Sequence, residues 1–344
     1  MLFRSSIKIA LYRIAANSKI ANALINAVRN GKSVTVLMEL RARFDEENNI
    51  NWSSRFQEEG VRVIYGVPSM KVHAKVFLIS SVLKGKEVYY AHVGTGNFNE
   101  NTAKIYADYS LLTCHSEIVS DVKRIFDYFE NNYSGTTFKQ LVVAPFRMRN
   151  KFLNLIHKEI SNARKKKPAW IIIKLNNLVD REMIRALYKA SNAGVKIQLI
   201  VRGICSLCTE VNGLSEKISG ISIIDKYLEH ARVFVFCHGG EERIFISSAD
   251  WMTRNLDHRI EVACPVLDPK IKREILEMLN IQLSSNVKAR LLEKKVQINY
   301  KLPKSGEKLR RAQEELHNYF LKKTRSNKGR MNKSVKHRAK TINK

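Results

Sequence analysis

The sequence predicts an α/β protein built of two domains related by internal duplication. Three observations predict it. Apolar stretches of helical and of strand period alternate along the chain. A length of 344 residues exceeds what one hydrophobic core usually serves. One set of signals also recurs in each half: a buried strand ending in arginine just after a glycine (residues 34–41 after Gly31, and 195–202 after Gly194), a histidine followed two residues later by a cation (His73 with Lys75, His230 with Arg232), and a turn of small and polar residues (94–97 and 247–250). A period this long implies a duplicated domain, not a solenoid of short repeats. The domains are placed at residues 1–143 and 144–320, with a basic tail over 321–344.

In chain order, the spacing of apolar residues predicts a helix over 7–29, closed by Gly31 as a C-cap glycine. Residues 34–40 are almost continuously apolar, as strands covered on both faces are. A helix over 51–59 follows, with Asp45, Glu46 and Glu47 as a solvated helix start. Strands come next at 61–67, 75–79 and 87–93, then a helix from 116 to 128. The second half reads as helix 149–164, strand 169–175 and helix 181–190 closed by Gly194. Strands at 196–201, 222–224, 232–236 and 243–247 follow, with helices at 269–279 and 308–320. Such alternation means an α/β sandwich around a sheet.

Composition narrows the partners. With 60 Lys+Arg against 32 Asp+Glu, the formal charge of +28 implies an anionic partner, nucleic acid or a long phosphate polymer. Ten of those cations fall in 321–344, a segment without acids that is expected to be disordered in isolation and able to bind nucleic acid non-specifically. Removing those ten from +28 leaves +18 on the rest, so the folded part must itself present a positive surface. No run of eighteen apolar residues and no signal pattern appears, so no membrane span is expected and the cytoplasm is the expected compartment. The five cysteines lack a disulfide framework. Cys205 and Cys208 have no second knuckle to complete a zinc site, so they read as free thiols.

The histidine motifs carry the chemistry. Residues i and i+2 of a strand share a face, which sets each histidine beside a fixed cation: one group able to attack phosphorus, the other to hold its oxygens. Two such motifs in paired halves suggest one site at the interface.

Eight stretches in order resemble the C-terminal half of the bacterial long-chain polyphosphate kinase family: residues 11–13, 39–47, 71–75, 90–99, 176–180, 201–205, 228–232 and 247–255. The resemblance covers roughly residues 7–320 and implies two phospholipase D-like α/β domains. It implies an ATP:polyphosphate phosphotransferase that works reversibly through a phosphohistidine, with ATP, ADP and inorganic polyphosphate as partners, Mg2+ accompanying the nucleotide, and a homo-oligomer. Position by position, His73 matches the phosphorylated nucleophile. Arg13 and Arg43 match the magnesium–phosphate site, where arginine, having donors only, would clamp the oxygens that carry the ion. Tyr106, Arg202 and His230 match nucleotide contacts. Motif geometry adds Lys75, Arg232, Asn97 and Asp250 as phosphate-facing or supporting groups. The amino-terminal domains of the family, one of which helps hold the adenine, are expected to lie outside this sequence.

Each motif has a plainer reading: His73 and Tyr106 as packing, Asn97 as turn chemistry. Two other functions are open to the same residues, a phospholipase D-like phosphodiesterase or nuclease and a non-catalytic polyanion binder. Against the hydrolase stand Ser80 and Cys237, where the phospholipase D pattern has an aspartate.

Overall fold

The computed structural model describes residues 5–42, 44–131, 137–293 and 299–325. The first unit runs β1 (Ser5–Leu11), α1 (Lys19–Arg29), β2 (Ser33–Met38), α2 (Glu46–Glu58), β3 (Arg62–Tyr65), β4 (Lys71–Val72), β5 (Lys75–Leu83), β6 (Lys86–Gly94), α3 (Glu100–Ala103), β7 (Tyr106–Ala107), β8 (Ser110–Thr113) and α4 (Ser116–Asn131). The second runs β9 (Val142–Ala144), α5 (Met148–Arg164), β10 (Trp170–Leu175), α6 (Arg181–Asn192), β11 (Lys196–Val201), β12 (Ile218–Ile223), β13 (Leu228–Glu229), β14 (Arg232–Phe236), β15 (Arg243–Ser247), α7 (Thr253–Asp257), β16 (Arg259–Pro265), α8 (Pro269–Leu283) and β17 (Ala289–Leu291). A C-terminal helix spans residues 312–325.

The duplication is visible strand by strand. One sheet has the order β3-β2-β1-β5-β6-β8, and the other contains β12-β11-β10-β14-β15-β16 with the same parallel and antiparallel pairings. The fold is of the expected class, two α/β units related by duplication. Alternate residues of the central strands serve opposite faces. Ile9 and Leu11 pack under α1 and α2 in one cluster, while Ile171 and Ile173 pack under α5 and α6 in a second. The other faces, through Ala10, Leu37 and Val76 of one sheet and Ile172, Ile200 and Val233 of the other, join α4 and α8 in a core shared by both units. The junction expected at 143/144 falls inside β9, a strand that pairs with β16.

Two expectations are corrected. Residues 7–29 are not one helix: Ser5–Leu11 form a central strand between β2 and β5, and the helix begins only at Lys19, where the Ser18 side chain accepts from the Ala21 amide. Ile7, Ile9 and Leu11 alternate with Lys8 and Ala10, a period of two that also fits three-and-four spacing when extended into α1. The tail is not separate from residue 321, because the C-terminal helix starts at 312 and runs to 325. The rest of the tail, 326–344, lies outside the described residues. Gly31 and Gly194 follow α1 and α6 with φ of 71° and 92°, as a left-handed cap requires.

Candidate active site

Both histidines are delivered by an exchange between the units. Strand β4 of the first unit pairs in parallel with β16 of the second, and β13 of the second pairs in parallel with β7 of the first. Each chain then leaves its ladder in the same way. The amides of His73 and Ala74 both donate to the Ile260 carbonyl, at 2.9 and 3.0 Å, and those of His230 and Ala231 both donate to the Ala107 carbonyl, at 3.1 and 3.0 Å. One residue beyond each acceptor stands a carboxylate. Glu261 Oε2 lies 2.9 Å from Nδ1 of His73, and Asp108 Oδ1 lies 2.8 Å from Nδ1 of His230. Each histidine is therefore oriented by an acid from the other unit.

The surroundings fix the protonation of both rings. Burial pushes His73 down to about 3 against the pull of Glu261, and burial together with Arg232 pushes His230 down to about 4. Burial works to raise the Glu261 carboxyl, yet His73 and Lys75 hold it below the ordinary range. Asp108 is likewise held low, against burial, by His230, Thr95 and Arg232. At neutral pH two neutral imidazoles thus face two carboxylates. The ring proton belongs on Nδ1, where an acceptor waits, and the lone pair on Nε2.

The cations differ between the halves. Lys75 is buried, donates to the His73 carbonyl and lies 5.2 Å from the centre of the Tyr12 ring; burial pushes it well below the lysine range. Arg232 is bound into a denser set. Its Nε donates to Asp250 Oδ1 at 3.0 Å, and its Nη1 reaches the carbonyls of His230 and Thr95 and, at 3.1 Å, Nε2 of His230. Asp250 also accepts from the Asn176 amide and the Asn177 side chain, each at 2.9 Å; burial alone would raise its carboxyl, but these donors, Arg232 foremost, hold it far below the ordinary range. Asn97 occupies the equivalent turn position in the first unit, and its buried Oδ1 has no hydrogen-bond partner among the described residues.

Tyr106 and Arg202 converge on the second histidine. The Tyr106 ring centre is 4.9 Å from that of His230, and Arg202 Nε donates to Asn176 Oδ1 at 2.7 Å. Arg13 follows Tyr12, whose ring packs edge-on against His73 at 4.8 Å, and its Nε lies 3.0 Å from Asp45 Oδ2. Asp45 is thus an ion-pair partner, beyond the helix-start role expected of it. Arg43 lies outside the described residues. The pairing of Arg41 with Arg202 as matching strand ends is corrected. Met38 faces Leu11 as Val201 faces Leu175, so Glu39 is the residue equivalent to Arg202, and their amides bond Leu11 and Leu175. Strand β2 stops at Met38, and Arg41 projects outward, 63% exposed.

Sequence reasoning missed both orienting acids. A signal existed: Asp108 follows Asn97 by eleven residues, and Glu261 follows Asp250 by the same eleven. It also missed Tyr12 and Arg259, the residue that the repeat sets opposite Tyr106 and whose charge acts on Tyr12 and Lys75.

The family models for polyphosphate kinase C-terminal domain 1 and C-terminal domain 2 match residues 4–135 and 141–313. The chain belongs to the polyphosphate kinase family. It is 48% identical over 315 residues to the polyphosphate kinase of Escherichia coli K12, covering 92% of this chain and 46% of that protein. It is 49% identical to that of Vibrio parahaemolyticus, covering 92% and 45%. The crystal structure of polyphosphate kinase from Porphyromonas gingivalis superposes with a TM-score of 0.86 at 43% identity, covering 93% of this chain and 49% of that one. The chain thus spans about half the length of the family members it matches. Beyond the family, phosphatidylserine synthase from Haemophilus influenzae shares the fold, with a TM-score of 0.55 at 9% identity.

Proposed function

We propose that this chain carries the phosphoryl-transfer centre of an ATP:polyphosphate phosphotransferase, working reversibly through a phosphohistidine on His73. The supporting observation is the pair of neutral imidazoles, each with its Nδ1 proton held by a carboxylate from the opposite unit. Such an imidazole is nucleophilic at Nε2 near neutral pH, and its phosphoramidate remains a good donor.

Nε2 of His73 attacks the γ-phosphorus of ATP. The N–P bond forms as the bond to the β,γ-bridging oxygen breaks, and ADP leaves with the electron pair. The Nδ1 proton stays between ring and Glu261, which offsets the positive charge the ring acquires. In the second step a terminal oxygen of polyphosphate attacks the same phosphorus and the N–P electron pair returns to Nε2, so the polymer grows by one unit and the enzyme is restored. An asymmetry favours His73 over His230 as nucleophile: Arg232 donates toward Nε2 of His230, whereas no donor among the described residues bonds Nε2 of His73. His230, Arg232, Arg202 and Lys75 would hold charge on the transferring group, and Tyr106 would line the nucleotide's path. Asn97, with its buried unbonded oxygen, would face a donor of the bound substrate.

The donor set suits magnesium brought by the substrate. Among the described residues no group of three His, Cys, Asp or Glu could hold a metal, and Glu261 and Asp108 are engaged by the histidines. Arg13 would clamp phosphate oxygens that carry the ion, which neutralises charge on the triphosphate. Incubation with γ-labelled ATP and Mg2+ should place acid-labile label on the peptide containing His73, and none on a His73→Ala protein. Absence of label on the unaltered chain, or cleavage of phosphodiesters without ATP, would overturn the proposal.

A further inference from the structure

The duplication supplies an internal control on which residues the fold needs. Sheet register sets Lys174 where the first unit has Ala10, and the equivalence of the two histidines sets Glu229 where it has Val72. Ala10 and Val72 are buried apolar residues of the shared core. Lys174 and Glu229 are a buried ion pair, Nζ to Oε2 at 2.6 Å, with side chains 2% and 3% exposed. Burying such a pair costs several kcal/mol of desolvation per ion and is often no better than apolar packing of similar volume. The first unit shows that the fold is content with the apolar version, so the charged pair answers a different need.

That need is visible in what holds each histidine. The His73 segment, β4, is an edge of the large sheet through β16. The His230 segment, β13, belongs to a two-stranded ribbon with β7, which carries Tyr106 and is followed directly by Asp108, and a ribbon of two strands is marginal by itself. Glu229, the residue before His230, anchors it. Its Oε2 accepts from Lys174 and, at 3.0 Å, from Gln282 of α8; its Oε1 accepts from Gln313 at 2.9 Å. Gln313 also donates to the Tyr227 carbonyl at 2.8 Å and accepts from the Tyr227 amide at 2.9 Å. Two residues earlier, Arg311 grips Asp225 with Nε at 2.9 Å and Nη2 at 2.7 Å. Residues 225, 227 and 229 are thus clipped in succession to the start of the C-terminal helix.

We propose that Lys174, Glu229, Gln282 and Gln313 form a positioning clamp for His230, making the C-terminal helix part of the catalytic apparatus although none of these side chains touches the reacting atoms. The inference rests on the phosphotransferase reading for its kinetic arm only. The test is the double substitution Lys174→Ala with Glu229→Val, which writes the first unit's residues into the second. The melting temperature should fall, because the buried Gln282 amide loses its bonds to both Lys174 and Glu229, so the readouts are taken on protein that a melting curve shows to be folded. In the full chain, His230 should lose its fixed tautomer, read as a change in its imidazole 15N shifts while those of His73 stay in place. Turnover at saturating ATP should fall on the order of 10²-fold, as misplacement by about 1 Å does. The single-turnover label on His73 should survive and KM for ATP should stay near its starting value. Gln313→Ala, a single change at the helix surface, should give the same pattern more weakly and serves if the double variant fails to fold. Unchanged His230 shifts in a folded variant, or unchanged turnover, would overturn the clamp. If the unaltered chain takes no label, the function proposed above fails, and the 15N shifts still decide this inference.

Discussion

Replacing Glu261 by glutamine tests whether the carboxylate sets the chemistry of His73. Glu261 is fully occupied: Oε2 accepts from His73 Nδ1 at 2.9 Å and from Ser248 Oγ at 2.5 Å, and Oε1 accepts from Asn255 Nδ2 at 2.6 Å. A glutamine keeps one acceptor. With its oxygen toward Asn255, its amide hydrogens meet the Nδ1–H of His73, and the ring must move its proton to Nε2 and lose the nucleophilic lone pair. With the oxygen toward His73, the bond survives without its charge. A hydrogen bond to a charged group is worth about 1.5–3 kcal/mol and a neutral one about 0.5–1.5, so the milder geometry, which keeps the bond and loses its charge, predicts a loss of roughly 5- to 13-fold. Inverting the tautomer costs about 10⁴-fold in hydrolases with the same carboxylate–imidazole pairing, which sets the ceiling. The assay is the rate of phosphoenzyme formation in a rapid quench with γ-labelled ATP, beside a melting curve to show that the variant is folded. A folded Glu261→Gln protein that labels at the original rate would refute the assignment of Glu261 as the group that directs the lone pair.

Further outcomes follow from the same geometry. A Cβ on Gly96 would collide with the Asp108 carboxylate, so Gly96→Ala should push that acid off His230 and cut turnover while leaving label on His73; equal loss of both, at unchanged melting temperature, would argue against it. Asp250→Ala leaves Arg232 buried without its carboxylate, which should cost about 3–5 kcal/mol and show as a lower denaturation midpoint, whereas a change under about 1 kcal/mol would mean the pair is not coupled to stability. His73, His230 and His92 are lowered to about 3, 4 and 4 by burial, so between pH 4 and 6.5 the unfolded chain binds more protons than the folded one. Stability should therefore climb as pH rises through that window, by up to roughly 1.4 kcal/mol per unit for each histidine, and then level off; a melting temperature flat from pH 4.5 to 6.5 would contradict the burial of these rings.

The second unit was largely legible because its elements are well separated by punctuation: Gly194 after α6, Asp180 capping it, and Pro269 opening α8. The first strand was not, because Ile7, Ile9 and Leu11 satisfy a strand period while joining onto α1 without a glycine or proline between. The repeat held the correction, since a helix–strand–helix order in the second half demands a strand ahead of Lys19. Short segments such as β4, β7 and β13 carry no periodicity at all, being two residues long. Their pairing across units is a tertiary fact, and so were the positions of Glu261 and Asp108. The histidines were legible because their motif is local; the acids that orient them lie 188 and 122 residues away in sequence.

What the two halves share and where they differ divides the roles. Both keep a histidine, an acid at its Nδ1, a cation two residues on and a turn of small and polar residues, which is the part that the proposed phosphohistidine step would use. They differ in how that part is supported. The first unit surrounds His73 with Tyr12, Lys75 and an apolar backing of Ala10 and Val72, and among the described residues no donor bonds its Nε2. The second gives His230 an arginine at Nε2, an aspartate to hold that arginine, and a buried charge network behind its strand. An unopposed lone pair suits a nucleophile, whereas a ring already receiving a hydrogen bond from a guanidinium suits a group that manages charge on the leaving or entering phosphate. Duplication supplied two equivalent histidines, and the residues one layer behind them made the two unequal.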